Sequence, residues 1–194
     1  MILATNNKGK LEEIRNILSE YEIYSLEDKN INVDVIEDQL TFYGNAKKKA
    51  MEIYEIAREE TIADDSGLCI NALNGYPGVM THRFLGDDAT DEERNDYLIN
   101  EVNKHDDRSA KVVCNLVYYD GTELIVGEGI LEGFIAKEKR GTNGFGFDEI
   151  FELPNGLTLA ELTPEQKNEV SARALAINDL KKKLDNRNSL KKVH

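Results

Sequence analysis

Ile62-Ala63-Asp64-Asp65-Ser66-Gly67-Leu68 sets two adjacent carboxylates at the end of a short apolar segment, with Ser-Gly directly behind them. The pattern reads as a strand that stops at the acidic pair, followed by a turn. Residues at a strand's end project into a crevice rather than into packed core, so ionised side chains persist there at tolerable cost. A carboxylate so placed can hold a magnesium ion or take a proton from water. Asp, Ser and Gly also favour an ordinary turn, and the stretch alone leaves both readings open.

Ahead of the acidic pair, Met1 to Thr5 reads as a short buried strand. A polar turn, Asn6 to Lys10, leads into a helix in which Leu11, Ile14, Ile17 and Leu18 recur at helical spacing. Strand, Gly-containing turn and helix together point backbone N–H groups at a phosphate. The same order describes a plain helix entry capped by Asn, with solvated lysines. From Tyr21 to Val35 the pattern is mostly extended, with Ile31, Val33 and Val35 alternating against polar residues. A helix is expected to begin near Thr41, and on it Asn45 and Lys49, four apart, share a face. Lys47-Lys48-Lys49 reads first as a solvated face; of the three, Lys49 is the candidate for a phosphate.

Behind the pair, Leu68 to Leu73 reads as a second strand ended by the turn residues Asn74-Gly75-Tyr76-Pro77-Gly78. Nothing at ligand spacing accompanies His82, which is read as a surface or packed histidine. Thr90 and Glu93 form a capping-box pair opening a helix that carries Leu98, Ile99 and Val102. Ala110 to Tyr119 and Thr122 to Ile130 are strand-like runs joined across Asp120-Gly121, a hairpin cue, with a further extended piece at Gly133-Phe134-Ile135. Gly141 to Asp148 packs three glycines and two aromatics into one loop. It can bend tightly around a ligand and offer flat faces to a base, or be only a packed loop. Thr163-Pro164-Glu165-Gln166 starts a helix expected to run to about Leu184, with Val170, Leu175, Ile177 and Leu180 towards the core. One two-lobed domain over residues 1–185 and a polar, fraying tail over 186–194 are expected.

A chain of 194 residues can bury a sizeable core, and 40% hydrophobic with 31% charged residues is an ordinary balance for a soluble globular protein. The net charge of -13 argues against a nucleic-acid polymer or an anionic membrane as main partner, since both call for a basic face. A small anionic ligand then needs local positive charge or a metal. Cys69 and Cys114 lie inside apolar runs and are expected as buried free thiols. The chain opens directly into Met1-Ile2-Leu3-Ala4, without a basic stretch before a long apolar one. A cytoplasmic protein is the expectation.

Taken in register, these stretches resemble the inosine/xanthosine triphosphate pyrophosphatases, the Ham1-like hydrolases of non-canonical purine nucleotides. The resemblance rests on Thr5-Asn6-Asn7-Lys8-Gly9-Lys10, on Glu37 ahead of Leu40-Thr41-Phe42 and Asn45-Ala46, and on Ile62 to Leu68. It continues through Gly78 to Arg83, Asp88-Ala89-Thr90-Asp91, Gly141 to Asp148, and Ala160-Glu161-Leu162-Thr163 with Lys167, Ser171 and Arg173. It implies an α/β fold: a long, curved, mixed central sheet flanked by helices, in two lobes with a cleft between them. It also implies a homodimer and magnesium-dependent cleavage of ITP, dITP or XTP to the monophosphate and pyrophosphate.

By the resemblance, Thr5, Asn7 and Lys10 hold the phosphates, Glu37 and Asp65 hold the metal, and Asp65 is the general base, with Ser66 beside it. Phe145 is the stacking face for the base, and Gly146, Phe147 and Asp148 wrap the nucleoside. Lys167 and Arg173 are donor-only side chains, suited to a 6-keto purine oxygen and not to the 6-amino group of adenine. The chain departs from the family at Ala172, where a His usually stands between Ser171 and Arg173, so an imidazole that helps read the base is missing. A sensor that binds nucleotide without turnover, and a sister pyrophosphatase for other modified nucleotides, are the alternative readings.

Overall fold

The structure, a computed structural model, describes residues 1–191. Five strands form one sheet in the order β1-β2-β3-β4-β5: β1 (Ile2–Leu3), β2 (Thr61–Ile70), β3 (Ser109–Tyr119), β4 (Leu124–Ile135) and β5 (Phe151–Glu152). The sheet is mixed. β1 runs parallel to β2 with Leu3 opposite Ile62, whereas β4 and β5 are antiparallel with Ile135 opposite Phe151. Five α-helices accompany it: α1 (Lys8–Ile17), α2 (Phe42–Ala57), α3 (Asp91–Val102), α4 (Pro164–Val170) and α5 (Ala172–Lys191). The α/β class expected from the sequence is the one observed.

The chain divides into two compact units. The first comprises Met1–Asp65, Cys114–Gly129 and the chain from Ala172 onward; the second comprises Ser66–Val113 and Ile130–Ser171. In the first, Ile2, Ala4, Ala46, Ile53, Ala63 and Val117 form one buried apolar cluster. In the second, Leu68, Ile70, Phe84, Leu98, Val102 and Ile150 are buried. Among the described residues, no helix is long and apolar enough to cross a membrane.

Helix starts follow local chemistry. The side chains of Asn7 and Thr41 accept from the backbone N–H of Lys10 and Gly44, opening α1 and α2. Thr90 with Glu93 and Thr163 with Gln166 close full capping boxes at α3 and α4. At the β3–β4 turn, Asp120 Oδ1 accepts from the N–H groups of Thr122 and Glu123, at 3.0 and 2.7 Å.

Several expectations need correction. No turn follows the acidic pair: β2 runs unbroken from Thr61 to Ile70, through Ser66 and Gly67. Turn propensity gives way because the strand is buried and its ionised side chains find partners within the first unit. Tyr21 to Val35 forms no strand; Tyr24 makes a single bridge to Ile2, residues 26–30 form turns, and 31–35 has no regular structure. Thr122–Ile130 and Gly133–Ile135 are one strand, β4. The single helix expected from Thr163 breaks at Ser171, whose ψ of 150° is extended, and α5 then continues past Leu184 to Lys191. The restart shifts the helical faces, so Leu175 is exposed while Ile177, Leu180 and Leu184 are buried. Both cysteines are free, Cys114 buried and Cys69 only partly so.

Candidate active site

In the first unit, α1, α2, β2 and α5 bring charged side chains together at the acidic pair. Asp64 is fully buried, and its Oδ2 lies 3.0 Å from Lys10 Nζ and 3.4 Å from Arg173 Nε. Arg173 also pairs with Glu13 through its Nη1. The Oδ1 atom of Asp64 is buried without a hydrogen-bond partner. Burial alone would raise the Asp64 pKa, but Lys10, Arg173 and Lys49 outweigh it and hold the carboxyl well below the usual range. Asp64 is therefore a fixed anion.

Asp65 is the opposite case. It is 2% exposed, and burial pushes its pKa up to about 6; Lys49 works against the rise and Glu37 with it. Asn45 Nδ2 donates to Asp65 Oδ2 at 2.9 Å, and Lys49 Nζ lies 2.5 Å from Glu37 Oε1. Desolvation disfavours the Lys49 ammonium, yet Asp64, Glu37 and Asp65 together keep its pKa raised. Asn45 and Lys49 do share a face of α2, but that face meets carboxylates, Asp65 and Glu37, and Lys49, read from the sequence as a candidate for a phosphate, is paired with Glu37. Thr5 and Asn7 stand at the mouth of α1, where Thr5 Oγ1 accepts from Asn7 N–H at 3.2 Å. The first N–H groups of a helix lack partners within it, so this corner suits an anion. Behind the pair, burial pushes the Cys114 thiol up to about 12, with the Asp64 charge adding to the rise, which makes it unreactive.

The donor set can be tested against magnesium. Glu37 and Asp65 offer hard carboxylate oxygens, and the partnerless Asp64 Oδ1 lies in the same cluster. Among the described residues no group of three metal-ligating side chains occurs. Magnesium is commonly held by one or two carboxylates, the remaining positions going to water and substrate phosphates. The residues present fit that pattern.

In the second unit the glycine-rich loop is tied down at nearly every residue. Asp148 Oδ2 accepts from Phe145 N–H at 2.9 Å and from Lys167 Nζ at 2.6 Å, and that ammonium stands 4.4 Å from the centre of the Phe145 ring. Gly146 donates its N–H to Asp91 Oδ2 at 3.1 Å and accepts from Asn95 Nδ2 at 2.9 Å. Gly144 has φ +79°, and a Cβ there would fall 2.0 Å from Asp148 Oδ2. Phe145 and Phe147 are half-buried, and a recess of about 390 Å³ opens beside Phe145, lined also by Asn95, Lys139 and Asn143. Ser66 is buried in β2.

Thr5, Asn7, Lys10, Glu37 and Asp65 thus share the first unit, while Phe145, Gly146, Phe147, Asp148 and Lys167 share the second, with Ser66. Arg173 falls in the first unit, against Asp64 and Glu13, whereas Lys167, with which the sequence reading grouped it, falls in the second. Sequence reasoning assigned no site role to Asp64, Glu13 or Asn45. For Asn45 a signal existed, in its helical spacing to Lys49. For Glu13 there was none.

The Ham1 family pattern matches residues 1–183. This chain belongs to the Ham1 family. It is 38% identical to the dITP/XTP pyrophosphatase of Clostridium tetani over 95% of each chain. It is 40% identical to the dITP/XTP pyrophosphatase of Aquifex aeolicus, covering 93% of this chain and 94% of that one. The Staphylococcus aureus Ham1 protein superposes with a TM-score of 0.87 at 36% identity, over 96% of this chain and 98% of its own. As a Ham1 protein, the chain shares its fold with that structure over nearly its whole length.

Proposed function

We propose that this Ham1 protein hydrolyses non-canonical purine nucleoside triphosphates (dITP, ITP and XTP) to the monophosphate and pyrophosphate, with Mg2+ as cofactor. The observation that carries the reading is Asp65: a buried carboxyl with a pKa raised to about 6, beside Glu37 and Lys49, in a chain whose full-length relatives bear the name dITP/XTP pyrophosphatase. Without a bound cation, a carboxylate of that basicity is ionised at neutral pH and a competent proton acceptor, and Mg2+ at the same carboxylate would keep it ionised while lowering its basicity. Asp65 takes the proton from the attacking water at its carboxylate. Asp64, neutralised by Lys10 and Arg173, holds those cations in place.

Thr5, Asn7, Lys10 and the first N–H groups of α1 bind phosphate oxygens. Glu37 and Asp65 would hold Mg2+, which when bound offsets phosphate charge as a Lewis acid. Phe145 stacks on the base, Gly146, Phe147 and Asp148 shape its surroundings, and Ser66 contributes a hydroxyl. Lys167, fixed by Asp148, donates to the 6-keto oxygen. Arg173 adds a second donor only by giving up Glu13 or Asp64. A 6-amino purine would leave the lysine unpaired, which is how such a site rejects adenine. A homodimer in the cytoplasm belongs to the same reading, and sedimentation velocity tests the dimer.

Chromatographic product analysis over dITP, ITP, XTP, GTP, ATP and dUTP, with and without Mg2+, tests the proposal. Magnesium-dependent pyrophosphate release from the first three supports it. Orthophosphate alone, or turnover of dUTP in preference, sinks it, and saturable binding without turnover would make the chain a sensor.

A further inference from the structure

We infer that Asn45 is a positioning residue: its side-chain amide sets the distance between the Glu37 segment and Asp65, and thereby the site's affinity for a divalent cation. The inference rests on the reading of Glu37 and Asp65 as the carboxylates that hold the metal. Asn45 is fully buried in the first turn of α2. Its Oδ1 accepts from Gln39 N–H at 2.9 Å, and its Nδ2 donates to Asp65 Oδ2 at 2.9 Å. The orientation of the amide is forced, because a backbone N–H can only donate: Oδ1 must face Gln39, which turns the NH2 group to the carboxylate.

Gln39 follows Glu37 by two residues in a stretch without regular structure. Such a segment has no ladder of its own to fix it, so its position is set by the ties it makes. Three of them come from α2: Asn45 holds the backbone at Gln39, Lys48 the Asp38 carboxylate at the exposed edge, and Lys49, one turn on from Asn45, the Glu37 carboxylate. Gly44 permits the approach, since a Cβ there would stand 2.9 Å from Gln39 Cβ and 3.0 Å from Thr41 Oγ1. The Asn45 amide thus bridges from β2 to the segment carrying the second carboxylate, with a hydrogen bond of the same length on each side. Partners of this kind behind a metal's ligands typically govern 10–100-fold in metal affinity.

The test is Mn2+ binding to the nucleotide-free protein, followed by calorimetry and by the manganese electron-spin signal, in wild type, Asn45→Ala and Gln39→Pro. Gln39→Pro deletes the N–H that Asn45 receives and leaves the Asn45 and Asp65 side chains intact. It keeps the inference open to refutation if Asn45→Ala fails to fold. Each folded variant is expected to bind Mn2+ at least about tenfold more weakly. In turnover assays each should need correspondingly more Mg2+ for half-maximal rate, and excess Mg2+ should restore most of kcat with KM for dITP little changed. Wild-type affinity for Mn2+ in both variants, or in Gln39→Pro alone if Asn45→Ala does not fold, overturns the inference. Should Glu37→Gln and Asp65→Asn weaken Mn2+ binding while the wild type releases no pyrophosphate, the proposed function fails and the positioning role stands.

Discussion

At the scale of single residues, Asp64 and Asp65 are neighbours with opposite electrostatics, and their stability effects should have opposite signs. Asp65 has a folded pKa of about 6 against an ordinary 3.8. A raised carboxyl pKa means the fold prefers the protonated form, so stability is lost as pH climbs from 3.8 to 6 and the full penalty remains above 6. That interval corresponds to about 3 kcal/mol as an upper bound. Asp65→Asn carries no such penalty and still accepts from Asn45. The variant is expected to be inactive yet more stable than wild type at pH 8 in urea unfolding, with the gain shrinking as pH falls below 6. Asp64 runs the other way: its depressed pKa stabilises the fold above the ordinary carboxylate range and stops doing so only in strong acid. Asp64→Asn takes the counter-charge from buried Lys10 and leaves Arg173 with Glu13, and should cost about 3–5 kcal/mol in the same measurement. The acidic pair itself was visible in the sequence as chemistry. Why the two differ electrostatically was not, because the cations that silence Asp64 are Lys10 and, 109 positions away, Arg173.

At the scale of elements, starts were legible and stops were not. Capping side chains lie within three residues of what they cap, so Asn7, Thr41, Thr90 and Thr163 announced their helices. The break at Ser171 has neither Gly nor Pro to mark it, and apolar residues keep helical spacing across it. What places α5 is β4. A Cβ on Gly129 would lie 2.0 Å from the Ala172 carbonyl oxygen, and one on Gly127 2.2 Å from that of Ala176, so the helix backbone rests directly on the strand. Ala172, Ala174 and Ala176 are buried along the same helix. The seam is written in two stretches that look unremarkable apart. Gly129→Ala should therefore displace the start of α5, lowering stability by about 1–3 kcal/mol in urea unfolding. A midpoint unchanged from wild type would show that the strand and helix can separate without cost.

At the scale of the whole molecule, membership of the Ham1 family was legible because seven short motifs held their order over most of the chain, although none is specific alone. The division into two units was not written in composition: no linker or shift in residue usage marks Asp65–Ser66, where the boundary crosses a continuous strand. What composition did carry is charge, and it has a kinetic consequence. On the proposed function, a protein at -13 has to accept a triphosphate of roughly four negative charges. Lys10 and Lys49 act locally, since both are already paired with carboxylates, so at a distance the substrate meets a repulsive field. Screening length falls from about 30 Å at 0.01 M salt to about 8 Å at 0.15 M. Repulsion that weakens encounter and ground-state binding alike appears in KM and leaves kcat alone. Between 10 and 150 mM KCl, at fixed free Mg2+, kcat/KM for dITP should therefore rise a few-fold through a falling KM, the reverse of a basic nucleotide-binding protein. A steady fall in kcat/KM over that range would mean that a positive local field outweighs the net charge where the phosphates bind.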